Sequence, residues 1–239
     1  MSLSVAVVTS TRGRELIARA AESVENQTYK ATHYVVAHGV DCWDKTEENL
    51  LDYDTTFIYL PVANGGGGYG MAPVFAASPF LVKEDVIFYL DDDNWYEPDH
   101  IESLVNLMEK HDLGWAYSLR KIVDADGNFI CDDNCESLGM HLNATNHYLV
   151  DNSCYAVRRD VAVKHSHAWY VPVVSDRHFQ AALMQARVPC GTTGNHSVNY
   201  RLSKDGTGGM TAEKFLGNNE WMVQNRPNFE WTQQQIFTY

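Results

Sequence analysis

Val86-Ile87-Phe88-Tyr89-Leu90-Asp91-Asp92-Asp93 sets the architecture of this chain. Five consecutive β-branched, aromatic or aliphatic residues have the pattern of a strand buried on both faces of a parallel sheet. Three carboxylates follow at once. Ligands of open α/β sheets bind beyond the carboxyl ends of the strands, so Asp91, Asp92 and Asp93 fall at a binding edge. Adjacent carboxylates repel one another unless a cation neutralises them. Oxygen ligands suit a hard ion such as Mn2+ or Mg2+, held by one or two carboxylates together with substrate phosphates. Such an ion balances a diphosphate and stabilises it as a leaving group. The competing reading is a solvated acidic turn that caps the next helix.

On either side of this stretch the first half alternates strands and helices. Ser4 to Thr9 is a β-branched run, and a polar loop from Ser10 to Arg14 follows it. Leu16, Ile17, Ala20, Ala21 and Val24 then recur at helical spacing through Asn26. Tyr34 to Ala37 and Thr56 to Leu60 read as strands, the latter stopped by Pro61. A glycine-rich loop from Asn64 to Gly70 precedes a weak helix over Ala72 to Ala77. Pro98 opens a helix carrying Ile101, Leu104, Val105 and Met108. Units of this length imply parallel strands with right-handed crossovers.

The second half reads differently. Trp115 to Ser118, Lys121 to Asp124 and Asn128 to Cys131 look like short strands, with a hairpin turn at Asp126-Gly127. Ser153 to Val157 reads as another strand, Phe179 to Ala186 as a short helix, and Ser203 to Met210 as a mobile polar loop. The expected fold is one α/β domain: a Rossmann-like nucleotide-binding half (1–112) fused to a mixed acceptor-binding half (113–239).

Composition narrows the function. The 239 residues are 45% hydrophobic and 21% charged, with a formal net charge of −13. Phosphates would repel so acidic a chain, which argues against nonspecific binding to nucleic acid or anionic membrane. No stretch approaches the roughly 20 apolar residues of a transmembrane helix. Met1 to Thr9 lacks the basic region of a secretion signal. Five cysteines, Cys42, Cys131, Cys135, Cys154 and Cys190, suit reduced thiols in a cytoplasmic protein.

Three ordered segments carry a resemblance. They are Val7-Val8-Thr9-Ser10-Thr11-Arg12-Gly13-Arg14, Ser23-Val24-Glu25-Asn26-Gln27-Thr28-Tyr29, and Phe88-Tyr89-Leu90-Asp91-Asp92-Asp93-Asn94-Trp95-Tyr96-Glu97-Pro98-Asp99. Residues, order and spacing resemble the GT-A glycosyltransferases, particularly the family-2-like enzymes, over residues 4 to 110. The resemblance implies a GT-A fold and sugar transfer from a UDP-hexose to a saccharide or other hydroxyl acceptor. It brings Thr9, Thr11 and Arg14 to the nucleotide. It makes Asp93 the direct ligand of Mn2+ (or Mg2+), has Asp91 face the ribose or share the metal, and leaves Asp92 the variable middle position.

The second strand departs from the family, with Ala37-His38 in place of acidic residues, so either His38 or Asp41 is expected at the base. Asn64-Gly65-Gly66 matches the start of a family loop and adds Gly66 to the nucleotide-sugar site, although Gly70-Met71 stands where Ala-Arg is usual. Asn152 to Arg159 resembles the strand behind the acceptor. Asp176 stands where inverting members carry the catalytic base, in a helix-start field that favours its ionised form. The alternative is that it merely caps that helix. His196 falls at a late His element that completes the metal shell or meets the diphosphate. Lys204 to Gly209 suits a lid that excludes water.

Other readings stay open. A retaining outcome is possible on the same fold. Cys131, Cys135, His141 and His147 cluster in sequence; the Cys spacing is within range for a zinc finger, whereas the His pair spacing and the intervening length are untypical. A nucleotidyltransferase shares the carboxylates and Gly-rich loop, but its loop normally follows the first strand, where this chain has only Gly13. A noncatalytic carbohydrate-binding protein would use some of the six Trp and 13 Tyr.

Overall fold

The computed structural model describes residues 2–65, 69–204 and 210–239. β1 (Val5–Thr11) is buried along its whole length. It pairs in parallel with β2 (Thr32–His38) on one side and β4 (Val86–Asp91) on the other, and β2 pairs in parallel with β3 (Thr56–Leu60). The common direction brings Thr11, His38 and Asp91 to one edge of the sheet, as the apolar runs predict. α1 (Ile17–Glu25) buries Ile17, Ala20, Ala21 and Val24, four of the five residues that recur at helical spacing; Leu16 stands at its N-cap. α2 (Trp43–Asn49) was not anticipated. α4 (His100–His111) begins two residues after Pro98.

The expected weak helix is longer than its pattern suggests: α3 (Ala72–Leu81) continues through Pro79. Proline has no N–H to give the carbonyl of Phe75. The Ser78 hydroxyl donates to that carbonyl at 2.8 Å instead.

Beyond β4 the sheet turns mixed. β8 (Tyr155–Arg158) is antiparallel to β4 and to β6 (Trp115–Val123). β6 lies parallel to β9 (Cys190–Arg201), and β10 (Gln235–Phe237) closes the edge antiparallel to β9. One ten-stranded sheet therefore runs through both halves, in the order β10-β9-β6-β8-β4-β1-β2-β3. β7 (Phe129–Asp132) hangs from β6 through the expected turn, where Gly127 takes a φ of 93° that glycine adopts freely. Several boundaries differ from expectation. Trp115 to Val123 forms one bulged strand in place of the two expected, and Asp124 lies in the turn after it. The segment at Ser153 opens as a 3-10 turn, Asn152–Cys154, capped by the Asp151 side chain. α6 starts at Ser175, four residues before Phe179, and runs Ser175–Gln185.

The halves are stitched together just past the carboxylates. β5 (Trp95–Tyr96) pairs with Asn199 and Val198 of β9, and Glu97 N–H donates to Ser197 O at 2.9 Å. The main core spans both halves; a smaller one, including Leu119, Leu138, Phe215, Met222 and Trp231, lies beneath α7 (Ala212–Asn225). Each large side chain so buried contributes roughly 1.5–3 kcal/mol. All five cysteines are free. Among the described residues no helix is long and apolar enough to cross a membrane.

Candidate active site

The exit of β4 meets the loop after β1. Gly13, at a φ of 76°, turns the chain so that Arg14 folds back over the carboxylates; a side chain at Gly13 would press within 3.2 Å of the Cys42 carbonyl. Asp92 is wholly buried and fully engaged. Thr11 Oγ1 donates to its Oδ2 at 2.7 Å, Arg14 Nε to the same oxygen at 3.2 Å, and Arg14 Nη2 to Oδ1. Arg14 Nη1 donates to Asp93 Oδ2 at 3.0 Å. Burial lowers the proton affinity of Arg14, but Asp92 and Asp93 more than reverse this and hold it above its ordinary value. Burial, reinforced by Asp92, raises the carboxyl of Asp93 despite the opposing pull of Arg14. Asp91 is raised much further, by burial first and then by Asp151 and Asp93; Asn152 Nδ2 partly offsets this by donating to Oδ1 at 2.8 Å.

Two neighbouring clefts, each of about 280 Å³, share Asp91 and Met71 as a common wall. One is lined by Arg14, Asp93, Asn94, Arg201 and Met210. The other is lined by Phe75, Asn152, Trp169, Ser175 and Asp176. Asp176 sits in the first turn of α6 and accepts the Arg177 N–H at 2.8 Å. Its carboxyl is pushed up to about 6, chiefly by burial and next by Asp151. A carboxylate near that value is suited to accept a proton at neutral pH.

The donor set fits a divalent ion that arrives with phosphate. Asp91 and Asp93 line the same cleft, and one oxygen of each (Asp91 Oδ2, Asp93 Oδ1) has no hydrogen bond within the protein among the described residues. No group of three or more His, Cys, Asp or Glu side chains that could hold a metal occurs among the described residues. Two carboxylates with substrate phosphates are the usual set for Mg2+-like ions.

Not every residue named from sequence gathers here. The Thr9 hydroxyl is spent inside the sheet on His33 Nε2 at 2.9 Å. Thr11 meets Asp92 and the Gly13 N–H, so it fixes the carboxylate turn. His38 Nδ1 accepts the Asn64 N–H at 3.0 Å, its Nε2 is buried without a partner, and burial lowers its pKa. Asp41 pairs with Arg12 at 2.7 Å on the surface. His196 is not brought to Asp93: its charged neighbours are Asp132, Asp133 and Lys121, five residues before Arg201 on β9. His141 bonds Gln235, and the Cys135 thiol packs beside Asp133, so the Cys/His cluster does not converge. Gly66 and residues 205–209 of the expected lid lie outside the described residues.

What the sequence did not reveal is the support behind the site. Arg120, only 3% exposed, donates to Asp133 at 2.8 Å, Glu136 at 2.5 Å and Asp151 at 2.5 Å, and lies 4.1 Å over the Tyr200 ring. Asp151 caps the turn that carries Asn152, and Asn152 orients Asp91. The guanidinium thus positions the shared wall of the clefts from behind. Only Asn152, in the segment already singled out, left a local trace.

A parallel sheet with carboxylates at its exit edge, sutured to a mixed half, is a GT-A-like α/β fold, as the three segments implied. The chain matches the Glycosyl transferase family 2 profile over residues 4–166 and belongs to that family. The UDP complex of S. aureus TarS 1-349 superposes with a TM-score of 0.62 at 12% identity, over 84% of this chain and 61% of that one. The mannosyltransferase PcManGT from Pyrobaculum calidifontis, in complex with GDP-Man and Mn2+, gives a TM-score of 0.61 at 12% identity, over 94% of this chain and 61% of that one. An uncharacterized protein of Haemophilus influenzae is 34% identical over 70 residues, 29% of this chain and 47% of that protein. The chain therefore spans less than two thirds of the length of each of these relatives.

Proposed function

We propose that the protein transfers a hexose from a UDP-sugar to an acceptor hydroxyl with inversion, and that Asp176 is the base. The observation that carries this reading is the shared wall. Asp91 borders both the cleft of Arg14, Asp93 and Arg201 and the cleft of Asp176. A donor whose diphosphate lies against the two arginines presents its anomeric carbon at Asp91. An acceptor in the neighbouring cleft then has its hydroxyl beside Asp176. The acceptor oxygen attacks the anomeric carbon, the bond to the diphosphate oxygen breaks, and the hydroxyl proton passes to Asp176. Asp91 and Asp93 would hold a divalent ion, which neutralises charge on the departing diphosphate. Tyr69 and Val173, which line the acceptor cleft and remain accessible, give it an apolar wall suited to a sugar ring. The mannosyltransferase complex with GDP-Man and Mn2+ supports a metal-assisted donor on this fold.

Thermal-shift and calorimetric titrations with UDP-hexoses, with and without Mn2+, test the reading. Wild type should bind a UDP-sugar more tightly with Mn2+, and Asp93→Ala should lose that dependence. Metal-dependent binding that survives the substitution removes Asp93 from the role. Failure of every nucleotide-sugar to bind rejects the reading as a whole.

A further inference from the structure

Arg14 is bonded to one oxygen of Asp93, the carboxylate whose other oxygen the reading above leaves to the metal, and to both oxygens of its neighbour Asp92. Asp92 has both oxygens engaged and Asp93 has one, all by groups that include this guanidinium. The Arg14 side chain is 44% exposed and lines the same cleft as Asp91, Asp93 and Arg201. It rises from a loop turned by Gly13, and Thr11 holds Asp92 independently of it. A dication arriving alone has to share Asp93 with a fixed positive charge bonded to it at 3.0 Å. A dication arriving with a diphosphate brings new anionic oxygens. The planar guanidinium fork matches phosphate in the bidentate geometry it now uses on Asp92.

We propose that Arg14 is the resident counter-ion of the carboxylate turn: it disfavours a lone divalent ion at Asp93 and turns to the diphosphate when ion and nucleotide enter together. The proposal rests on the assignment of Asp93 as metal ligand. Arg14 is on this account a positioning residue that couples two binding events, and coupling is reciprocal. UDP should improve Mn2+ affinity by the same factor as Mn2+ improves UDP affinity.

Mn2+ binding, measured by water-proton relaxation, and UDP binding, measured by calorimetry, separate the possibilities without any turnover. In wild type, UDP should tighten Mn2+ at least about tenfold. Arg14→Gln should bind Mn2+ alone about tenfold more tightly than wild type, while binding UDP about tenfold more weakly. Arg14→Lys keeps the charge and loses the fork, so its Mn2+ affinity should stay near wild type while UDP weakens. These opposite shifts are not expected of a merely structural arginine, whose loss weakens both ligands. Should Arg14→Gln fail to fold, the wild-type linkage and Arg14→Lys still decide. Equal Mn2+ affinity with and without UDP in wild type, or unchanged or weaker Mn2+ binding by Arg14→Gln, overturns the proposal. Absence of Mn2+ binding to wild type under both conditions overturns the metal assignment itself.

Discussion

The two halves of the sheet share one apolar core but differ in the buried charge they carry. β1, β2, β3 and β4 are parallel neighbours, and β1, β2 and β4 are buried almost throughout. They are stabilised by many small apolar terms, none indispensable. The half beyond residue 112 shares the main apolar core and has a smaller one beneath α7, and it also buries a cation, Arg120, which ties β6 to Asp133, Glu136 and Asp151. Apolar packing supports both sides, and the acceptor side depends in addition on one buried charge. The lesson concerns fragility: loss of a buried partner strands the remaining charges at about 3–5 kcal/mol, whereas loss of one buried methyl costs about 0.5–1.5 kcal/mol.

Chemistry offers the sharpest test of that contrast, because Asp176 belongs to the half that carries the Arg120 cluster. Asp176→Asn should lower transfer by roughly 10²–10⁴-fold and leave UDP-sugar binding intact. The wild-type rate should fall as pH drops through about 6, where the base gains its proton, and this limb should vanish in the variant. Near-normal turnover by the variant excludes Asp176 as base.

Arg120→Met should cost about 3–5 kcal/mol in urea unfolding, because the buried Asp133 and Asp151 and the half-buried Glu136 lose their cation. A loss below about 1 kcal/mol, the range of an exposed ion pair, would break the comparison.

A smaller effect divides the halves by pH. Burial depresses His33 from 6.5 to about 4, so its contribution is complete above the unfolded value and is lost as pH falls from 6.5 towards 4. Asp133 is buried, yet Arg120 holds it below its ordinary value of 3.8, so its contribution is lost only at lower pH. Wild type should lose about 2 kcal/mol from His33 between pH 7 and pH 5, and His33→Gln should flatten that slope. Parallel slopes for the two proteins would remove His33 as the cause.

The donor half was readable because its signals are local. The run Val86 to Leu90 announces a strand, and the carboxylates that end it announce an edge. Helical spacing from Ile17 to Val24 is equally direct. β9 escaped because Cys190-Gly191-Thr192-Thr193-Gly194-Asn195 reads as a polar loop; β6 and β10 on its flanks make it a strand. α7 escaped because only Phe215 and Met222 face the core. Arg120 looks like any surface arginine until folding gathers Asp133 and Glu136 from one loop and Asp151 from another around it. The role of Asp92 was hidden for a related reason. Its burial depends on Arg14 returning over the turn, which the order of residues does not announce.

The suture between β5 and β9 fixes how the mouth of the donor cleft can behave. Main-chain pairs at Trp95 and Tyr96, and the Arg201 N–H donating to Asn94 Oδ1 at 3.0 Å, lie directly beside the carboxylates. Spreading the two lobes there would tear strand pairing at the point where charge is most concentrated. The joint is a weld and not a hinge, and the approach of the Arg201 main chain to Asn94 is set when the chain folds, before any sugar arrives.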